Sequence, residues 1–200
     1  MSNFIDRLRH WAKACPEKIA LQVDEKRYTY AELFHEIDAL AANLPFPSGS
    51  GVLIQETDPA QQWLLFLASR KAGLRPVLCH PDLPAEDVRN IAESNGLYLF
   101  DGTIGPSDVT KIPAAAEFGI LSSGSTGLPK LFWREEHSWT DYFPIQNKIF
   151  GINEKSRLFF HGSFSFTGNF NSFACVFWAG GFARTISAYA PRRWGDILQE

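Results

Sequence analysis

Phe118-Gly119-Ile120-Leu121-Ser122-Ser123-Gly124-Ser125-Thr126-Gly127-Leu128-Pro129-Lys130-Leu131-Phe132-Trp133 sets a polar loop between two apolar runs. The runs read as buried strands, so the loop is expected to join two strands. Residues 122–129 hold two glycines, one proline and four hydroxyl side chains, and Lys130 closes the loop. Gly124 and Gly127 lack a Cβ, so backbone N–H groups there can approach an anion closely. The hydroxyls of Ser122, Ser123, Ser125 and Thr126 can each donate to a phosphate oxygen, and Lys130 adds a mobile positive charge. The make-up suits phosphate binding. Its spacing is not that of a Walker A loop, because two residues rather than four separate the glycines and Pro129 precedes the lysine. A solvated Gly/Ser loop is the plain alternative for a short Ser-Gly-Ser-Thr-Gly run, and the full string is far more restrictive.

Outward from the loop, helical and strand patterns alternate. Phe4, Ile5, Leu8 and Trp11 have helical spacing over 3–14. Strands are expected at 19–23 and 27–30, and Thr29 with Glu32 reads as a capping box for a helix to about 44. A strand at 52–55, a helix from Asp58-Pro59 to near Gly73, a strand at 76–79, a helix over 85–95 stopped by Gly96 and a strand at 97–100 follow. The 101–116 spacer is rich in Gly, Pro, Ser and Ala. Beyond the loop strands, helices are expected at 139–150 and 169–179, strands at 157–161 and 183–187, and a helix after Pro191 with no stop signal. The chain is thus expected to end inside an element. Alternating strands and helices imply an α/β fold with a mostly parallel sheet flanked by helices.

The 200 residues suffice for one sizeable core, and 45% apolar with 20% charged residues is ordinary for a globular protein. A net charge of −3 gives no reason to expect nucleic acid as a partner. Cys15, Cys79 and Cys175 are odd in number and widely spaced, which fits reduced thiols rather than a disulfide framework or a metal pair. No apolar window is long enough to span a membrane and no signal peptide is visible, so a cytoplasmic location is expected.

The string Ser-Ser-Gly-Ser-Thr-Gly-Leu-Pro-Lys resembles the signature loop of the adenylate-forming (AMP-binding) enzymes: acyl-CoA synthetases, luciferases and the adenylation domains of peptide synthetases. Thr29-Tyr30-Ala31-Glu32-Leu33, Arg70-Lys71-Ala72-Gly73 and Phe164-Ser165-Phe166-Thr167-Gly168 resemble further family motifs, in the family's order. The resemblance implies that 1–200 are the N-terminal portion of an AMP-binding domain, with a subdivision near the 101–116 spacer. It implies ATP-dependent activation of a small carboxylic acid to an acyl-adenylate, then transfer to a thiol of CoA or of the phosphopantetheine on an acyl carrier protein. By resemblance, Ser122, Ser123, Gly124, Ser125, Thr126, Gly127 and Lys130 bind the ATP phosphates, with Lys130 also catalytic. Phe164, Ser165, Phe166, Thr167 and Gly168 border the acid. Mg²⁺ is implied too, with no ligand to name.

Leu131 stands where the family usually has glycine. Thr167 stands where amino-acid-activating members carry an aspartate, and a neutral hydroxyl cannot pair with an ammonium. An aryl or fatty acid is therefore expected. The family's later elements, including its Tyr-Gly-x-Thr-Glu segment and C-terminal lysine, do not occur in these residues. A truncated, non-catalytic nucleotide-binding or interaction module is the alternative.

Other candidates have plainer readings. Phe166, Phe170, Phe173 and Phe177 form one helical stripe, with the last three expected in the core and Phe164 and Phe166 left as pocket candidates. His161 reads as structural, Cys79-His80 as a buried thiol beside a loop histidine, and Glu135-Glu136-His137 as a solvated charged turn.

Overall fold

The computed structural model describes residues 3–101, 109–122 and 129–199. Local chemistry places most elements. Asn3 caps α1 (Phe4–Ala14), its Oδ1 accepting the Asp6 N–H at 2.8 Å. After β1 (Ile19–Val23) and β2 (Lys26–Thr29), the expected capping box opens α2 (Tyr30–Ala42). There the Glu32 N–H donates to Thr29 Oγ1 at 3.1 Å and the Thr29 N–H to Glu32 Oε2 at 2.7 Å. β3 (Gly51–Gln55) leads into α3 (Pro59–Lys71), capped where Asp58 Oδ1 accepts the Ala60 N–H at 2.8 Å. β4 (Arg75–Cys79), α4 (Ala85–Asn95) and β5 (Tyr98–Leu99) follow, and Gly96 ends α4 in the left-handed conformation at φ 63°. Then come β6 (Phe118–Ser122), β7 (Lys130–Arg134), α5 (His137–Thr140), α6 (Phe143–Phe150), β8 (Arg157–Phe159), α7 (Thr167–Trp178), β9 (Phe182–Thr185) and α8 (Trp194–Gln199).

The strands form two sheets rather than one. The first has the order β2-β1-β9-β8 and the second β5-β3-β4-β6-β7. Pairing is mostly parallel, with antiparallel partners at β1–β2 and β6–β7. Strands from before and after the 101–116 spacer share both sheets: Leu21 of β1 pairs with Ala183 of β9, and Val77 of β4 with Gly119 of β6.

α3 lies between the sheets, touching β1 of the first and β3 and β4 of the second. Its run Trp63-Leu64-Leu65-Phe66-Leu67-Ala68 is buried all round, as expected of a helix with no polar face. Around Trp63 and Phe66 gather Phe170, Phe173 and Phe177 of α7, which therefore belong to the core as expected. On the other face of the second sheet, Leu53, Val77 and Cys79 pack against Val88, Ile91 and Ala92 of α4. Both faces are covered, which is why β3 and β4 read as continuous apolar runs rather than alternating ones.

Two expectations are corrected. The helix foreseen over 139–150 is two helices, α5 and α6. A continuous helix would drive the Pro144 ring into the Thr140 carbonyl, whereas in the first turn of α6 its missing N–H costs no bond. Glu136 is also not solvated: it is 3% exposed, for a reason given below.

Candidate nucleotide and acid site

The loop of interest is the turn of a hairpin. β6 and β7 pair from Phe118↔Arg134 to Ser122↔Lys130, so Ser122 and Lys130 face one another across the last rung of the ladder. Ser122 is half-buried and Lys130 exposed. Ser123, Gly124, Ser125, Thr126 and Gly127 lie outside the described residues. β6 runs parallel to β4, and β4 to β3, so the hairpin turn leaves from the carboxyl edge of the parallel strands. That edge is where open α/β sheets bind ligands. At the middle of β6, a Cβ on Gly119 would come within 2.6 Å of Leu131 Cδ1 and 2.8 Å of Val77 Cγ2, so the close three-strand packing here requires glycine.

The root of the hairpin is held by charge. Glu117 precedes β6 and Glu136 follows β7, and Arg70 of α3 binds both. Arg70 donates from Nε and Nη2 to Glu136 Oε2 at 3.3 and 3.2 Å, and from Nη2 to Glu117 Oε1. The second Glu117 oxygen accepts the Glu136 N–H at 2.6 Å, and Glu136 Oε1 accepts the Phe4 N–H at the start of α1. Burial pushes the Glu136 carboxyl above the usual range, opposed by the Phe4 N–H and by Arg70.

The five residues expected at the acid fall at the start of α7 and divide by depth. Phe164 is 2% exposed, with its ring 4.8 Å from Phe173, 5.0 Å from Phe160 and 5.9 Å from Trp63. Ser165 is half-buried, Phe166 is 65% exposed at the N-cap, and Thr167 and Gly168 are exposed in the first turn. No side chain caps α7, which leaves the positive end of its dipole open beside these residues. Phe118, Gly119 and Ile120 of β6 and Phe164, Ser165 and Thr167 line one small gap of about 10 Å³, the room of a single water. Two wider grooves, one between α6, β8 and α7 and one over β1, β8 and β9, are lined by neither the hairpin nor residues 163–168.

One positioning residue escaped the sequence reading. Gln62 of α3 is 1% exposed. Its Oε1 accepts the Phe164 N–H at 2.8 Å and the Ser163 hydroxyl at 3.1 Å, while its Nε2 donates to the Glu56 carbonyl at 2.6 Å. It ties the loop before α7 to the end of β3. Asn169 secures the same loop from the other side, donating to the His161 carbonyl at 2.9 Å and the Ser163 carbonyl at 3.3 Å. The signal was weak, since Gln62 stands beside Gln61 in the first turns of α3, just before its apolar run. Its partner could not be inferred, because Phe164 is distant in sequence.

The chain is similar to several known proteins. The model of one family, AMP-binding enzyme, matches residues 8–100. The match covers just under half of the chain, at its N-terminal end. A Staphylococcus epidermidis protein provisionally named long chain fatty acid-CoA ligase VraA is 27% identical over 160 residues, 74% of this chain and 35% of that protein. The 2-succinylbenzoate–CoA ligase of Escherichia coli is 27% identical over 145 residues, 61% of this chain and 32% of that protein. The chain thus spans about a third of the length of these curated relatives. Among solved structures, the O-succinylbenzoate coenzyme A synthetase of Bacillus subtilis in complex with AMP superposes with TM-score 0.80 at 19% identity, over 96% of this chain and 57% of that chain. The N-terminal subdomain of Klebsiella oxytoca NpsA gives TM-score 0.78 at 21% identity, over 100% of this chain and 59% of that one. At these identities the likeness establishes the fold alone: mixed α/β, with parallel sheets flanked by helices.

Among the described residues there is no cluster of three or more His, Cys, Asp or Glu that could hold a metal ion. No described helix is long and apolar enough to cross a membrane.

Proposed function

We propose that residues 1–200 form the N-terminal portion of the AMP-binding domain of a ligase that activates an aryl or fatty acid with ATP. The acid carboxylate attacks the α-phosphorus, a P–O bond to the acyl oxygen forms, and the bond to the β-phosphate breaks as pyrophosphate leaves with its electron pair. A thiol of CoA or of a carrier-protein pantetheine then attacks the acyl carbonyl and releases AMP. Ser122, Ser123, Gly124, Ser125, Thr126, Gly127 and Lys130 hold the β- and γ-phosphates, and Lys130 offsets the charge that grows on the leaving pyrophosphate. Ser165, Phe166, Thr167 and Gly168 border the acid, with Phe164 anchoring that segment in the core. Thr167 carries no charge to meet an ammonium, which favours aryl or fatty acids over α-amino acids. The free cysteines fit a reducing, cytoplasmic setting.

One observation supports this reading: Phe118, Gly119 and Ile120 of the hairpin strand and Phe164, Ser165 and Thr167 line the same small gap. Positioning of two reactants is the larger part of such chemistry. The test is ATP–pyrophosphate exchange in the intact enzyme. Lys130→Ala should slow exchange by about 10- to 100-fold, and an unchanged rate removes Lys130 from its role. A second reading for these residues taken alone is a non-catalytic nucleotide-binding or interaction module. Calorimetry with Mg-ATP on the 200-residue chain and on a longer relative separates the two.

A further inference from the structure

We propose that the outward face of α6 is the contact through which two copies of this chain pair about a two-fold axis. α6 is built inside out. Its inward side carries Phe143, packed against the rings of Phe4 and Trp178, and also the amides of Gln146 and Asn147, both buried. Asn147 Nδ2 donates to the Cys175 carbonyl at 3.0 Å, and Gln146 Oε1 accepts from Asn171 Nδ2 at 3.3 Å. Tyr142, Ile145 and Ile149 recur at i, i+3 and i+7 on the opposite side. With Phe150 at the helix end, they are between 49% and 71% exposed. A helix serving only its own core would turn these side chains inward and the amides outward. Buried polar groups and large exposed apolar ones are each informative alone, and here one helix has both.

The four side chains show on the order of 400 Å² of apolar surface, the size of the largest patch on a typical monomer. A standard interface buries about 800 Å² on each partner, so the patch has the extent of an interface core inside a polar rim. Charge selects a second copy as the occupant. The stripe itself carries none, but Asp141 flanks it at one end and Lys148 at the other, and both are exposed. Asp141 and Tyr142 keep helical backbone angles into α6, so Asp141 and Lys148, seven residues and almost two turns apart, lie along the same side of the stripe. Neither forms an ion pair among the described residues. Two such helices laid antiparallel with Ile145 at the centre bring each Asp141 to Lys148 of the other copy, and Tyr142 beside Ile149. One patch thereby supplies both halves of two ion pairs, whereas a parallel pairing sets like charges opposite. A contact made by the same patch on both copies closes at the dimer.

The test is sedimentation equilibrium on the full 200-residue chain over a range of micromolar concentrations, with Ile149→Ser, Asp141→Lys, Lys148→Asp and the double reversal Asp141→Lys/Lys148→Asp. All three positions are exposed, so the variants should fold as wild type does. Wild type should dimerise as concentration rises, and Ile149→Ser should weaken the dimer about tenfold or more. Each single reversal should weaken it about tenfold, and the double reversal should return it to within about threefold of wild type. Wild type that stays monomeric at every concentration overturns the proposal and leaves the face to another occupant. A dimer that Ile149→Ser leaves intact has its contact elsewhere, which also overturns it. Single reversals with no rescue in the double variant overturn the two-fold pairing.

Discussion

Replacing Gln62 with leucine tests how the acid segment is held. The side chains are similar in size, so little cavity opens and the loss is mainly polar. Three hydrogen bonds disappear, to the Phe164 N–H, the Ser163 hydroxyl and the Glu56 carbonyl. Ser163 can turn to Ser165, whose hydroxyl oxygen is 2.8 Å away, but the Phe164 N–H and the Glu56 carbonyl lose the partner that Gln62 gave them. Each buried polar group stranded in this way costs about 1–3 kcal/mol. Burying a leucine instead of an amide returns roughly 1–2 kcal/mol. The net loss is about 0–5 kcal/mol, centred near 2–3 kcal/mol, and each kcal/mol lowers Tm by about 2–4 °C for a chain of this size. Urea unfolding followed by far-UV circular dichroism reads it as a lower midpoint at unchanged slope. A Gln62→Leu variant more stable than wild type, with unchanged amide exchange at Phe164, would refute the claim that this amide holds the loop.

Two further outcomes follow from buried ionisable groups. Burial pushes the Cys79 thiol up to about 11 and raises that of Cys175, whereas Cys15 is half-buried, so a thiol reagent at pH 8 should label Cys15 first and reach the other two on unfolding; prompt labelling of Cys79 would contradict the covered face of the second sheet. Burial raises the Glu136 carboxyl above its ordinary 4.5, so the stability it gives as a neutral acid is present below that value and lost as pH rises through the raised one. Glu136→Gln should therefore gain on wild type in urea titrations from acid to neutral pH, and the opposite trend would mean that attraction to Arg70 outweighs burial.

Short-range chemistry made the elements legible. The Thr29–Glu32 box, the Asp58 cap and the left-handed Gly96 are each settled within a few residues, and all three stand where the sequence put them. The glycines, hydroxyls and lysine around the loop, and the strands on either side, were likewise readable. The break between α5 and α6 was readable in principle from Pro144, but the apolar pattern across 139–150 concealed it.

What the sequence by itself determined is the alternation of strands and helices and the two strands that flank the glycine- and hydroxyl-rich loop. Only the tertiary structure decided that the strands divide into two sheets, since β1 takes β9 as its neighbour from the far end of the chain. It also decided which polar side chains go inside. Gln62, Arg70 and Glu136 look solvent-bound in sequence, because burying an amide or a charge is unfavourable until its partners arrive. Those partners are brought in by chain closure across many intervening residues, and no local pattern encodes such a meeting.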